Sequence, residues 1–342
     1  MRFDAASVEG PYLRDILAQP EALRDTLAGL CDAPLPGEAG GFDRIVLTGM
    51  GASYHALQPL HIELVEHGLR AAVYETSELI HYLPASLTGR TLLIAVSQSG
   101  RSVEIVRLLD MTGGARVIGV TNTPDSPLAT RADETILTHA GAESTVSCKT
   151  FVATLLALEW LGAGMRGADR KQVESTLREA APAVEGYLTG WEAKVGTLVK
   201  LLDGVRALFV TGRGSSVAAA GAAGLTLKES AHFHAEGMTC SAFRHGPFEM
   251  SGPGVFVLVF EGDPKTAALN EKLVQDVRHA GGQGVLVGPH AEVDVFGIAA
   301  VAPGIRPILE MLPVQMMSLA LAALAGHQPG KFRLLTKVTT IE

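Results

Sequence analysis

Apolar residues in this chain come in short, uninterrupted runs. Three fall in the first half, IVLT (45–48), LLIAVS (92–97) and RVIGVTN (116–122), and three in the second, ALFVT (207–211), VFVLVF (255–260) and GVLVG (284–288). Runs of this length with no polar alternation are the pattern of parallel strands covered on both faces. Between them apolar residues recur at helical spacing, as in SYHALQPLHIELVEHG (53–68), SVEIVRLLDM (102–111) and PKTAALNEKLVQDVRHA (264–280). Strand and helix in alternation predict an α/β fold of doubly wound parallel sheets flanked by helices.

The pattern is duplicated. IVLTGMGAS (45–53) and LFVTGRGSS (208–216) share an apolar run, Thr-Gly-x-Gly and two small residues, and lie 163 residues apart. The same offset carries LLIAVSQSG (92–100) onto VFVLVFEGD (255–263). Two strand-to-loop junctions in one register indicate a tandem repeat. The expected organisation is a helical lead-in over 1–40, broken near Pro20, then a first α/β domain over 41–165. A helical linker over 166–202, a second α/β domain over 203–326 and a tail over 327–342 follow.

Composition narrows the function classes. With 47% hydrophobic and 19% charged residues among 342, the chain can bury two cores of ordinary size. Net charge is −8 and no run of Lys and Arg exceeds a pair, which speaks against nucleic acid as a partner. Cys31, Cys148 and Cys240 are far apart with no C-x-x-C pair, as expected in a reducing cytoplasm without disulfides or a zinc knuckle. The first residues carry acids where a signal peptide would be basic, and the longest apolar stretches (155–161 and 316–325) are too short for a bilayer. No membrane partner is expected.

Ligands of open parallel sheets bind beyond the carboxyl ends of the strands. In the first copy one such end reads Ser97-Gln98-Ser99-Gly100-Arg101-Ser102, just before a helix. Three hydroxyls, an amide and unpaired helix-end N–H groups make a phosphate cradle, although any one of these serines has the plainer role of helix cap. The aligned loop of the second copy, Phe260-Glu261-Gly262-Asp263, offers two carboxylates instead, so one phosphate site per chain is expected, in the first copy. The Gly-x-Gly turns lack the third glycine of a dinucleotide fingerprint, with Tyr54 and Val217 in its place. His232, His234 and Glu236 read as a hydrogen-bonded pocket wall, and neither a metal nor a cofactor is expected.

These elements, in their order, resemble the tandem SIS (sugar isomerase) domain proteins and the isomerase half of glucosamine-6-phosphate synthase. GMGASYHA, SQSGRS, AGAESTVSCKTF, LKESAHFHAEG, FRHGP and LTKVTTIE carry the resemblance nearly end to end. It implies two tandem SIS domains and a hexose 6-phosphate or amino-sugar 6-phosphate as ligand. It implies phosphate or sugar contacts from Ser53, Ser97, Gln98, Ser99, Ser102 and Ser147. It further implies proton transfer by Glu229, ring opening by His245, and a Schiff-base-forming amine at Lys337. In the family the histidine can come from a neighbouring subunit, so a homodimer with shared sites is implied. Each catalytic candidate also has a plain reading. Glu229 beside Lys228 can be a solvated acid, His245 a strut in a Gly-Pro turn, and Lys337 a solvated tail residue.

Two departures shape the expected reaction. Residue 2 is Arg and the first cysteine is Cys31, so the synthase's glutaminase nucleophile has no counterpart and a chain without that domain is expected. Thr226 stands one helical turn before Glu229, where the synthase carries a lysine. Both favour an isomerase/deaminase that converts glucosamine 6-phosphate to fructose 6-phosphate and ammonia. A fructosamine-6-phosphate deglycase and a non-catalytic sugar-phosphate sensor remain as alternatives.

Overall fold

All six apolar runs lie in strands of two parallel sheets. The computed structural model describes residues 3–37, 40–334, 336 and 337. The first sheet contains β1 (Arg44–Gly49), β2 (Ala71–Glu75), β3 (Thr91–Val96), β4 (Arg116–Thr121) and β5 (Glu134–Leu137), in the order β2-β1-β3-β4-β5. The second contains β6 (Ala207–Gly212), β7 (Ala235–Thr239), β8 (Val255–Phe260) and β9 (Gln283–Val287), in the order β7-β6-β8-β9. Every strand pair is parallel. β3, β6 and β8 are buried along their whole length, which is why they read as unbroken apolar runs. The edge strands β2, β5 and β7 are half-exposed and carry mixed sequences.

The chain forms two compact units. One holds the first sheet and draws on Glu21–Glu143, Lys149–Glu179 and Leu334–Glu342. The other holds the second sheet and draws on Met1–Pro20, Ser144–Cys148 and Ala180–Arg333.

In the first-sheet unit, Ile105, Leu108 and Leu109 of the helix Val103–Asp110 pack with Val46, Leu93 and Ala95 of the sheet. The helix Lys149–Met165 is apolar all round and buried almost throughout, with Trp160 1% exposed. Arg166 just beyond it pairs with both Glu63 and Glu159. Burial, reinforced by the Glu159 charge, pushes the Glu63 carboxyl up to about 7 despite that arginine.

The second-sheet unit is organised around the helix Arg306–Ala325, buried from Pro307 to Ala322. Its 23-residue stretch Pro303–Ala325 is long and apolar enough to cross a membrane, yet 83% of the apolar 18-residue window within it is buried in protein. This corrects the expectation that the apolar stretch here spans only 316–325 and is too short for a bilayer. Glu310 and Gln315 interrupt the run in sequence, but both are buried. Gln315 exchanges two amide hydrogen bonds with Gln19, at 2.8 and 3.0 Å, and Ser318 meets the Tyr12 hydroxyl at 3.1 Å. The lead-in helices thus satisfy polar groups that would be costly if left unpaired.

Glu310 is the exception. One oxygen accepts the Ser216 hydroxyl at 2.6 Å, the other has no hydrogen-bond partner, and the residue is 1% exposed. Burial pushes this carboxyl up to about 7. Because the folded-state value lies above the unfolded one, its stabilising contribution is present below about pH 4.5 and is lost as pH rises to about 7. Glu310→Gln is therefore expected to melt higher than the wild type at pH 8, by an amount on the order of 3 kcal/mol or less, and to match it near pH 4.5. Thermal melts of both proteins across that range check this.

Candidate functional site

The turn after β3 uses its own side chains to hold its shape. Ser97 Oγ accepts the Gly100 N–H at 3.1 Å and Ser99 Oγ accepts the Arg101 N–H at 3.2 Å. Each hydroxyl thereby keeps its proton for an outside acceptor. The backbone oxygen of Gln98 accepts the Asn122 N–H at 3.0 Å and the Thr121 hydroxyl at 3.2 Å, which fixes the turn against the end of β4. Gly100 has φ +60°, and a Cβ there would lie 2.2 Å from Ser126 Oγ, so only glycine fits. Arg101 is turned aside onto Asp125 at 3.0 Å.

Ser102 occupies the cap position of the helix Val103–Asp110 but makes no side-chain capping bond. Its Oγ is buried and has no hydrogen-bond partner. A buried hydroxyl without a partner at a helix N-terminus is a donor suited to an anion. Ser53 lies in the first turn of the helix Ala52–Glu66, after β1, and is half-buried like Gln98 and Ser99. Since β1 and β3 are neighbours, both turns lie at the same end of the sheet.

Lys337 belongs to this unit too. Its Nζ lies 2.7 Å from Glu143 Oε2, and the Glu143 side chain has no exposed surface. Thr150, at the start of the helix Lys149–Met165, donates its hydroxyl to Oε2 at 2.5 Å and its N–H to Oε1 at 3.2 Å. Sequence reasoning did not single out Glu143 or Thr150. The acid lay within the family-like stretch AGAESTVSCKTF, but its partner is 194 residues away.

Ser147, Glu229 and His245 fall in the second-sheet unit. Glu229 is half-buried in the last turn of the helix Ser216–Ala231. Burial holds the Tyr12 phenol far above its ordinary value, with the charges of Cys148 and Glu229 adding to the effect. Cys148 and Glu229 are thus coupled electrostatically to Tyr12 within this unit. Thr226, one turn earlier, is 4% exposed and its carbonyl accepts the Ser230 hydroxyl at 2.5 Å. His245 follows the short helix Cys240–Arg244 on an exposed turn. His232 caps the helix Ser216–Ala231 with φ +49° and stacks on His327 at 4.7 Å between ring centroids.

The corresponding end of the second sheet is closed by its own side chains. Arg213, aligned with Met50, donates Nε–H to Asn270 Oδ1 at 2.9 Å and an Nη–H to Ser241 Oγ at 2.8 Å. Glu261 takes His290 Nδ1 at 2.7 Å, and this bond raises the His290 pKa. Ser216, aligned with Ser53, is engaged by Glu310. Carboxylates and internal bonds occupy the place where the first sheet has donors to offer.

Residues 42–163, the first sheet and its helices, match the family model described as SIS domain. A glutamine–fructose-6-phosphate aminotransferase [isomerizing] of Pyrococcus horikoshii is 33% identical over 348 residues, covering 96% of this chain and 57% of that protein. Residues 42–163 belong to the SIS domain family. A Gloeobacter violaceus protein of the same name is 30% identical, with 96% of this chain and 58% of that protein covered. This SIS chain therefore spans somewhat over half the length of those relatives. Among solved structures, the C-terminal domain of glucosamine-fructose-6-phosphate aminotransferase from Francisella tularensis superposes with a TM-score of 0.81 at 20% identity, covering 99% of this chain and 100% of that one. Glucosamine-6-phosphate deaminase from Thermotoga maritima gives 0.80 at 18%, covering 97% and 100%. Both carry the α/β architecture with two parallel sheets.

The geometry separates two serines of the SIS loop. Ser102→Ala is expected to leave the melting temperature unchanged and to weaken phosphate binding about tenfold, the worth of one hydrogen bond to a charged group. Ser97→Ala is expected to lower stability as well, because Ser97 Oγ holds the turn together. Calorimetric titration with inorganic phosphate, alongside thermal melts, distinguishes the two.

Proposed function

We propose that this SIS chain binds an amino-sugar 6-phosphate through the turn after β3 and converts glucosamine 6-phosphate to fructose 6-phosphate and ammonia. The observation that carries the reading is the buried Ser102 hydroxyl without a partner, beside a helix N-terminus and the outward hydroxyls of Ser97 and Ser99. Ser53 and Gln98 join this phosphate set, and Ser147 is a sugar-side contact. The names of the relatives, aminotransferase [isomerizing] and glucosamine-6-phosphate deaminase, supply the substrate class.

The reaction needs no oxidant. Ring opening exposes an aldehyde at C1, a proton moves from C2 to C1, and the resulting imine at C2 is hydrolysed to a ketone with release of ammonia. A positioned carboxylate and an imidazole suffice for these transfers. Glu229 moves the proton between the two carbons, His245 opens the ring, and Lys337 meets the keto sugar. Thr226, in place of the synthase-type lysine, favours hydrolytic release of ammonia over amination. A fructosamine-6-phosphate substrate would use the same groups and differ in the leaving amine.

His245 lies on an exposed turn together with Met250, which is 51% exposed, and such a turn is suited to covering by a second copy of the chain. A homodimer with His245 shared between subunits follows, as does a cytoplasmic location, where glucosamine 6-phosphate is met and three widely spaced thiols stay reduced.

Glu229→Gln is expected to lower ammonia and ketose phosphate release from glucosamine 6-phosphate by roughly 10²–10⁴-fold while leaving fructose 6-phosphate binding intact. A coupled ammonia assay and a binding titration measure the two, and undiminished turnover contradicts the assigned mechanism. Tight fructose 6-phosphate binding with no turnover of any amino sugar in the wild type identifies a sensor instead.

A further inference from the structure

Glu143 is a buried carboxylate with a defined set of donors. Its Oε1 takes the Thr150 N–H at 3.2 Å, and its Oε2 takes both the Thr150 hydroxyl at 2.5 Å and the Lys337 ammonium at 2.7 Å. The Glu143 side chain is wholly inaccessible, and that of Lys337 is 23% exposed. A carboxylate out of water needs compensation, and it has two sources here. One is the positive end of the 17-residue helix Lys149–Met165; the other is the lysine charge.

Residues 331–334, 336 and 337 form no helix or strand, and Leu334 among them is 97% exposed. Apolar burial at that leucine therefore does little to hold the segment. A charge-assisted hydrogen bond of 2.7 Å to a fixed, buried acceptor is strong enough to do so. It also bears on the chemistry of the amine. A lysine whose terminal nitrogen is held by a buried carboxylate has to leave that bond before it can attack a carbonyl carbon.

We propose that Glu143 is a positioning residue for Lys337: it fastens the lysine side chain to the first-sheet unit and keeps the amine engaged and unreactive in the resting protein. The inference rests on the proposed role of Lys337 toward a sugar phosphate. A cation is presented to an anionic ligand in the resting protein, and the lysine becomes a nucleophile only after its proton has left. Glu143 Oε2, bound by the Thr150 hydroxyl and 2.7 Å from Nζ, is an acceptor within reach of that proton.

The test is acetylation of the ligand-free protein at pH 8 with limiting acetic anhydride, with the rate at Lys337 read by mass spectrometry relative to surface lysines. In the wild type Lys337 is expected to react at least tenfold more slowly than Lys228 or Lys265. Glu143→Gln is expected to erase that protection. Thr150→Val, which removes the hydroxyl bond but keeps the ion pair, is expected to retain it. Protection that survives in a folded Glu143→Gln protein overturns the proposal, and so does the absence of protection in the wild type.

Lys337→Met provides a second route if Glu143→Gln folds poorly. It leaves the carboxylate buried without its cation, so its melting temperature is expected to fall below the wild type at pH 7.5 and to recover as pH drops toward 4. Equal melting at both pH values contradicts the ion pair. No substrate enters either measurement. Failure here leaves the sugar-phosphate reading standing, and failure of hexose 6-phosphate to bind leaves the Glu143–Lys337 pair standing.

Discussion

One constraint governs the end of the first sheet: a turn that folds by accepting hydrogen bonds can still donate them. At the end of β3 the oxygens of Ser97 and Ser99 accept N–H groups from the turn itself. A hydroxyl that accepts inward retains its proton for something outside, and an anion with several acceptor oxygens is the complementary ligand. Gly100 makes the turn possible, because its left-handed backbone and contact with Ser126 exclude a side chain. The neighbouring helix end adds N–H groups and the Ser102 hydroxyl, which the fold leaves unsatisfied. None of this requires net positive charge, so a chain of net charge −8 can hold a phosphate.

The repeat supplies an internal comparison. Both copies place a strand, a Gly-x-Gly turn and a helix in the same register, yet their chemistry is opposite in sign. The first presents hydroxyls. The second presents Glu261 and Glu310 and engages Arg213, Ser216 and His290 internally. Duplication has kept the scaffold and left hydroxyls at this end of one copy and carboxylates at the same end of the other. The second-sheet unit carries Glu229 on the helix after β6 and His245 on the exposed turn after β7.

Much of the fold was legible because strands covered on both faces leave a signal that no turn or surface helix imitates. β1, β3, β4, β6 and β8 were visible for that reason, and β9 because GVLVG stays apolar although it is a partly exposed edge strand. β2, β5 and β7 were not, since AAVYE, ETIL and AEGMT are short edge strands whose half-exposed sides tolerate polar residues. The helix Arg306–Ala325 looked shorter than it is, because Glu310 and Gln315 are polar in sequence but buried in place. The hydroxyls of the turn after β3 were legible as a local cluster. The Glu143–Lys337 pair was not, because its partners meet only in the folded chain. The approach of Tyr12 to Glu229 and Cys148 belongs to the same class.

The most direct measurement is a pair of calorimetric titrations of the wild-type protein, one with fructose 6-phosphate and one with unphosphorylated fructose. Saturable binding of the phosphate ester, at least a hundredfold tighter than the free sugar and lost in Gly100→Ala, is the predicted result. Equal affinity for both sugars, or undiminished fructose 6-phosphate binding in Gly100→Ala, would contradict the claim that the turn after β3 captures the phosphoryl group.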